Sequence, residues 1–569
     1  MSGRETLALL LAAAAVVLSG WAAPAAAQLN HTDLALAPDL DVKIFQGFPV
    51  TRHGYHGPIV FGVQLRNRGP ERSVQIDVDH PTRMSRSLRV PAGERVRAFF
   101  ALPVRGTYGM SAIFELADSR SGKRRRLTAN SELQADEPVA RLGAITSAFN
   151  VDKPFVLIGA LDGHMPDDAR ALSGIRVIAL EHAYAAVHEI DWKPVLEWVA
   201  MGGVLLVSTP AEQWRAPPPW GERLPFARAL RETEAGLVQQ VGYGAIARVF
   251  PERLASVSGS FLADIGVCES CRWSIEEREI DENIAFKYAY ERLRSMVARP
   301  GWGLFGVLLL FSTAVGPVGW VWLIRRRGLP LHYLGFVVAT AALFSIAVLG
   351  HDLIENGIAA KCAPRSLVLL DQRNGVELGV EDAAMYAPTS RGTRLRSKPG
   401  ALLLLPSAMP SADDARPALE LDQGSEWLVN AIPVRQRELV ATRWLAPQRG
   451  GLELEQTGDD LWIENQTGRE LASLVLWRSG KSYALRKLAR GARVRAEPID
   501  AEQAEAGAVN PPYNTVVGHG DALAEAIVAG ELGADRYVAT FTWTQESSAL
   551  VGPGVAPRPS KEHVLAGVF

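Results

Sequence analysis

Few side chains in this sequence have types and spacing suited to chemistry. There are three cysteines, Cys268, Cys271 and Cys362. Cys268-Glu-Ser-Cys271 has the C-x-x-C spacing of redox dithiols and metal sites, because two intervening residues let both sulfurs reach one partner. A four-ligand zinc site needs two more donors, and no second pair exists. In an oxidising compartment the pair reads as a local disulfide or as inert thiols, ahead of a metal or redox pair. Cys362 stands by itself and reads as a free thiol. His53-Gly-Tyr-His56 holds two imidazoles in one short stretch, but Gly54 and Gly57 suggest a flexible loop, and no third ligand is near. Glu181-His182 closes an apolar run, at the kind of strand end where α/β sheets carry their sites. Simple chain reversal at the strand end is the safer reading of that dipeptide. No G-x-S-x-G elbow, P-loop or G-x-G-x-x-G fingerprint is present. No catalytic residue, cofactor or metal site is therefore expected.

The elements that would position these residues are set first by compartment. The chain opens with Arg4, an apolar run from Leu7 to Leu18, and Ala25-Ala26-Ala27 before Gln28, the pattern of a secretory leader. Trp302 to Ile324 is 23 residues without a formal charge, and Leu331 to Gly350 is 20 with only His332 near its start. At the rise of an α-helix each can cross roughly 30 Å of hydrocarbon. Between them lie Arg325, Arg326 and Arg327, expected at the cytoplasmic tip of a transmembrane hairpin, as the positive-inside rule prefers. Arg292, Arg294 and Arg299 lie near the other end of the first run, so the leader decides the orientation. Ser312 with Gly316, and Gly335 with Ala339, have the small-xxx-small spacing that lets helices pack within such a hairpin. A net charge of −2 argues against a nucleic-acid binder, which would carry a basic surplus.

On either side of the hairpin the sequence reads as exported domains. Residues 28–140 alternate apolar and polar positions in short runs, such as FGVQLRNRG (61–69) and SVQIDV (73–78), with turn residues between them. This predicts a β-sandwich. The basic run Lys123 to Arg126 reads as a solvated hairpin end. Residues 141–280 change grammar. FVLIGAL (155–161), GIRVIALE (174–181) and VLLVST (204–209) are short, mostly apolar runs suited to strands covered on both faces, and DWKPVLEWVAMGG (191–203) reads as a helix stopped by two glycines. That alternation predicts a parallel sheet in a flavodoxin-like α/β layer. Residues 281–300 read as a juxtamembrane helix, 301–325 and 331–351 as the two spans, 326–330 as the turn, and 352–569 as a second β-rich domain. In that last domain LWIENQTGRELASLVLW repeats the pattern of VQLRNRGPERSVQIDV, and LRKLARGARVRA that of LRVPAGERVRAFF.

This order of parts, with LEWVAMGGVLLV (196–207), VGPVGWVWLIRRRGLP (315–330) and the ending HVLAGVF, resembles a family of bacterial membrane-anchored proteins. Their middle domain is similar to class I glutamine amidotransferases. The resemblance implies that fold for residues 141–280. Catalytic members use a G-x-C-x-G elbow, and Gly266-Val-Cys268-Glu-Ser lacks its second glycine, so the fold is implied without the activity. It also implies partners in the envelope, namely von Willebrand A-domain membrane proteins and a MoxR-type ATPase system. The expectation is a non-enzymatic, two-pass inner-membrane protein with both large portions in the periplasm, contacting lipid and protein partners but no nucleic acid. An exported hydrolase or thiol-dependent enzyme, and a periplasmic ligand sensor, are the alternatives.

Overall fold

The structure is a computed structural model describing residues 28–250 and 302–569, apart from intervals of which 143–154, 159–168, 182–190, 405–417 and 505–521 are the longest. It is a multidomain, β-rich fold in which few helices accompany large sheets.

The first sandwich pairs Thr32–Ala37, Leu40–Gln46, Ile59–Asn67 and Arg95–Leu102 in one antiparallel sheet. Arg72–His80, Arg83–Val90, Ser111–Asp118 and Arg124–Asn130 lie together in a second. Period-two alternation turns Val42, Phe61, Val63 and Leu65 of one sheet toward Val74, Ile76, Phe114 and Leu116 of the other. The Phe114 ring meets those of Phe61 and Phe100 edge-on, at 5.5 and 5.9 Å. Arg83–Val90 then pairs in parallel with Ala418–Asp422, so strands from the last third of the chain extend this sheet to nine.

The α/β layer has five parallel strands in the order Phe155–Ile158, Glu137–Leu142, Val177–Glu181, Val204–Ser208 and Gly244–Val249. Gly236–Val241 and Arg231–Thr233 close one edge antiparallel. The helix Trp192–Ala200 starts where the Asp191 carboxylate accepts the Lys193 N–H at 3.1 Å. It ends at the glycine pair. Gly202 has φ 128°, and a Cβ on Gly203 would lie 2.1 Å from the Trp198 ring.

A ten-stranded sheet joins everything. Its central strand, Ala360–Asp371, runs antiparallel to Val376–Tyr386 and parallel to His563–Val568. Leu367 and Leu369 on one face belong to the core that includes Trp198, Leu205 and Ile527. Val368 and Leu370 on the other face belong to the core of the C-terminal sandwich with Trp444, Ile463 and Tyr537. At its start, Cys362 belongs to the core of the first sandwich, together with Met385 and Val440. One strand thus contributes to three cores.

Both sandwiches contain the same asparagine arrangement. Asn67 Nδ2 donates to the carbonyls of Pro70, Val90 and Pro91, and its Oδ1 accepts from Gly69 N–H. Asn465 Nδ2 donates to the carbonyls of Arg469, Leu488 and Ala489, and its Oδ1 accepts from Thr467 N–H. Each is fully buried at a strand end, where its amide replaces the water that three converging carbonyls would need.

Two long apolar helices precede the central strand in the chain. Trp302–Thr313 is α-helical and passes into π turns over Ala314–Val318 and Trp320–Arg325 around Pro317, which lacks the N–H a regular helix needs. The return helix Pro330–Asn356 has proline at its first position. Phe311 and Phe344 pack at 5.2 Å, and the Tyr333 hydroxyl donates to the Val315 carbonyl at 3.0 Å. Phe305, Leu309, Trp322, Leu334, Leu343 and Ile346 are all exposed, the reverse of a soluble core helix. Both helices are long and apolar enough to cross a membrane. The small-residue spacing does not make their contact: a Cβ on Gly316 or Gly335 would meet nothing, whereas one on Gly319 would lie 2.9 Å from Phe336 Cε1. The π turn over Ala314–Val318, just before Gly319, carries an extra residue, which rotates the side chains that follow it.

Candidate functional site

The residues with greatest chemical interest lie on the central sheet. Thr442, Glu381, Ser366 and His563 occupy neighbouring strands in nearly one line, since Thr442 pairs with Glu381 and Glu381 with Ser366. His563 stands one register step from Ser366, because Leu367 pairs with Val564. None is more than about one tenth exposed, and Glu381 and His563 have no exposed surface. The line separates Cys362, Ala383 and Met385, in the first sandwich core, from Val368 and Trp444, in the second.

Its bonding order fixes what it can do. Ser366 Oγ donates to Glu381 Oε2 at 3.1 Å. That uses the single hydroxyl proton, so the 3.2 Å contact with His563 Nδ1 requires the imidazole to be the donor. A nucleophilic serine needs the opposite order, with histidine between hydroxyl and carboxylate. With all three groups buried, the arrangement is a polar seam that holds strand register. Hydrogen bonds to charged groups of this kind contribute about 1.5–3 kcal/mol each. Cys362 lies beside it. Burial pushes that thiol's pKa far up, and the charge of Glu381 adds to the shift, so it remains an inert thiol.

Further buried pairs join the cores. Glu377 receives Arg469 Nη2 through both carboxylate oxygens at 3.1 and 3.2 Å, and Trp444 Nε1 at 3.1 Å. A Cβ on Gly379 would lie 1.9 Å from the Trp444 ring, so only glycine fits beneath that indole. The Arg469 guanidinium also lies over Phe541, 5.5 Å from its centroid, and Phe541 packs on the His563 ring. Burial raises the pKa of Tyr537, whose hydroxyl donates to Gln372 Oε1.

Of the residues singled out by sequence, Glu181 ends its strand opposite Ser208 in the parallel ladder. Arg325 and Arg326 are exposed at the end of the first apolar helix. Cys268, Cys271, His53, His56, His182 and Arg327 lie outside the described residues. Among the described residues no group of His, Cys, Asp or Glu is arranged to hold a metal. The seam escaped sequence reading because RSLVLLD and HVLAGVF look simply apolar, and Ser366 and His563 are 197 positions apart.

No protein-family model and no curated protein matches this chain. Among solved structures, it has 5% identity and a TM-score of 0.12 to a chain reported under host cell surface retention of a 1.5-MDa bacterial ice-binding adhesin, covering 95% of this chain and 98% of that one. A β-glucuronidase of Parabacteroides merdae gives 8% identity and a TM-score of 0.12, covering 95% and 77%. At those scores neither likeness bears on fold or function.

Proposed function

We propose that this is a non-enzymatic, two-pass protein of the bacterial inner membrane whose periplasmic body is a scaffold or binding component in envelope assembly or maturation. One observation carries the reading. The second apolar helix ends at Asn356, and Ala360 already begins the strand that contributes to all three cores. Anything bound to any layer is thereby coupled through a continuous sheet to the membrane hairpin. The ionisable groups brought together on that sheet are buried and mutually bonded, which suits rigidity and denies a substrate access. The α/β layer, with its five parallel strands, is compatible with the amidotransferase-like fold implied by the resemblance. On the same resemblance, von Willebrand A-domain membrane proteins and a MoxR-type ATPase system are the proposed partners.

The topology is tested with single cysteines at Arg326 and at exposed Lys481, in a chain whose Cys268 and Cys271 are serine. A membrane-impermeant maleimide should label position 481 and not 326 in intact spheroplasts. Labelling of both from outside would overturn the hairpin. The scaffold role is tested by mild-detergent purification, where a stoichiometric membrane partner is expected. Recovery of the chain alone, or loss of function on replacing Glu181, His182, Cys268 and Cys271, would overturn it.

A further inference from the structure

The end of the first sandwich that carries Asn67 is unusually basic. Arg66, Arg95, Arg120, Lys123, Arg125 and Arg126 are all exposed there. They belong to one end of the fold. Asn67 N–H donates to the Glu94 carbonyl, Ser119 N–H donates to the Ser73 carbonyl, and Arg72 bonds both Asp118 and Asp39. Three further carboxylates of this end face arginines, in the pairs Asp41–Arg68, Glu71–Arg89 and Glu115–Arg124. Glu94 is a further exposed acid, so by count cations outnumber acids at this end. Two details set this apart from an ordinary solvated face. Arg66 and Arg95 stand directly opposite each other on antiparallel strands, a like-charge pair that opposes folding. Arg124, Arg125 and Arg126 are consecutive strand residues and all exposed, so both faces of that strand end are open to solvent.

Three residues separate Asn356 from Ala360, a reach of at most about 14 Å. Cys362, just inside that strand, belongs to the first sandwich's core, while Leu370, roughly 30 Å from the strand's start, belongs to the second's. The first sandwich core therefore meets the central strand at the end that follows the apolar hairpin in the chain. The sandwich's Val60, near the far end of the strand that finishes at Asn67, and Phe99, midway along the neighbouring strand, pack in the α/β core.

Building on the membrane reading above, we infer that the Arg66–Arg95 and Arg120–Arg126 end docks onto anionic lipid headgroups and sets the body's tilt on the bilayer. A diffuse set of exposed cations, without a desolvated pocket, suits a plane of negative charge. The hairpin keeps that plane at high effective concentration.

The test uses the full chain, with Cys268 and Cys271 replaced by serine, in nanodiscs of phosphatidylcholine alone or with phosphatidylglycerol. A fluorophore at Ala92→Cys, in the exposed Pro91–Glu94 loop, is read against a headgroup quencher, and one at Lys481→Cys serves as the distal control. Quenching at 92 should require phosphatidylglycerol and fade in high salt. Each of Arg66→Gln, Arg95→Gln and Lys123→Gln should weaken docking about fivefold, and Glu94→Gln should strengthen it. Equal quenching in both lipids, or no response to these variants, would overturn the inference. So would protection of position 92 by soluble polyphosphate but not by phosphatidylglycerol. Failure of the chain to enter nanodiscs at all would instead overturn the membrane reading on which it rests.

Discussion

The Asp371 carboxylate, fully buried at the last position of the central strand, accepts the backbone N–H of Phe226 at 2.8 Å from 145 residues away. Phe226 is held at φ 53°, a left-handed conformation that opposes a bulky side chain. Asn374 completes the clamp, donating to Asp371 Oδ2 at 2.7 Å and to the Leu224 carbonyl at 3.2 Å. The α/β layer is thus locked to the central sheet by hydrogen bonds as well as by apolar burial.

Removing that acceptor should loosen the joint. Asp371→Ala leaves the Phe226 N–H buried without its partner and should destabilise the body by about 3 kcal/mol. Thermal unfolding of the purified chain in detergent measures it. Limited proteolysis should first cut near residues 224–226.

The two asparagine arrangements should behave alike. Asn67→Ala or Asn465→Ala strands three carbonyls and should cost about 2–4 kcal/mol. Asn→Asp at either site keeps the shape but points an oxygen at those carbonyls. It should be at least as damaging at neutral pH and less so in acid, as read from denaturant midpoints.

Acid stability should depend on Asp118. Burial raises its pKa, but hydrogen bonds from Ser121 Oγ and from Arg120 and Ser121 N–H, with the charge of Arg72, outweigh that and leave it below the usual carboxylate range. A depressed folded pKa contributes stability above the unfolded value of about 4, which is lost as pH falls through the folded value. Asp118→Asn should flatten the acid limb of the stability–pH curve and lower the plateau at pH 7.

In the hairpin, Gly319→Val should disturb helix packing against Phe336, while Gly316→Ala and Gly335→Ala should be tolerated. Detergent-resistant thermal midpoints of the three variants make the comparison.

Much of the local structure was legible because local rules govern it. DWKPVLEWVAMGG shows its cap, apolar face and double-glycine stop, and the helix is Trp192–Ala200. VLLVST and GLVQQVGYGAIARVF are the expected strand and hairpin. The strand Glu137–Leu142 was not visible, because EPVARL is short and mixed, and only its neighbours in the parallel sheet make it a strand. The repeated Asn-containing pattern was readable as text, but its meaning lay in carbonyls supplied by another loop.

The sequence by itself therefore determined the apolar hairpin, the strand and helix grammar of each region, and the order of those regions, since each depends on periodicity over neighbouring residues. Tertiary structure alone decided that Ala418–Asp422 extends the first sheet, and that one strand contributes to three cores. It also decided that Ser366, Glu381 and His563 meet. Those outcomes depend on contacts between residues far apart in the chain, 15 and 197 positions for the bonds of Ser366 and more for the pairing of Ala418 with Arg83, and the chain between such partners carries no trace of which will meet.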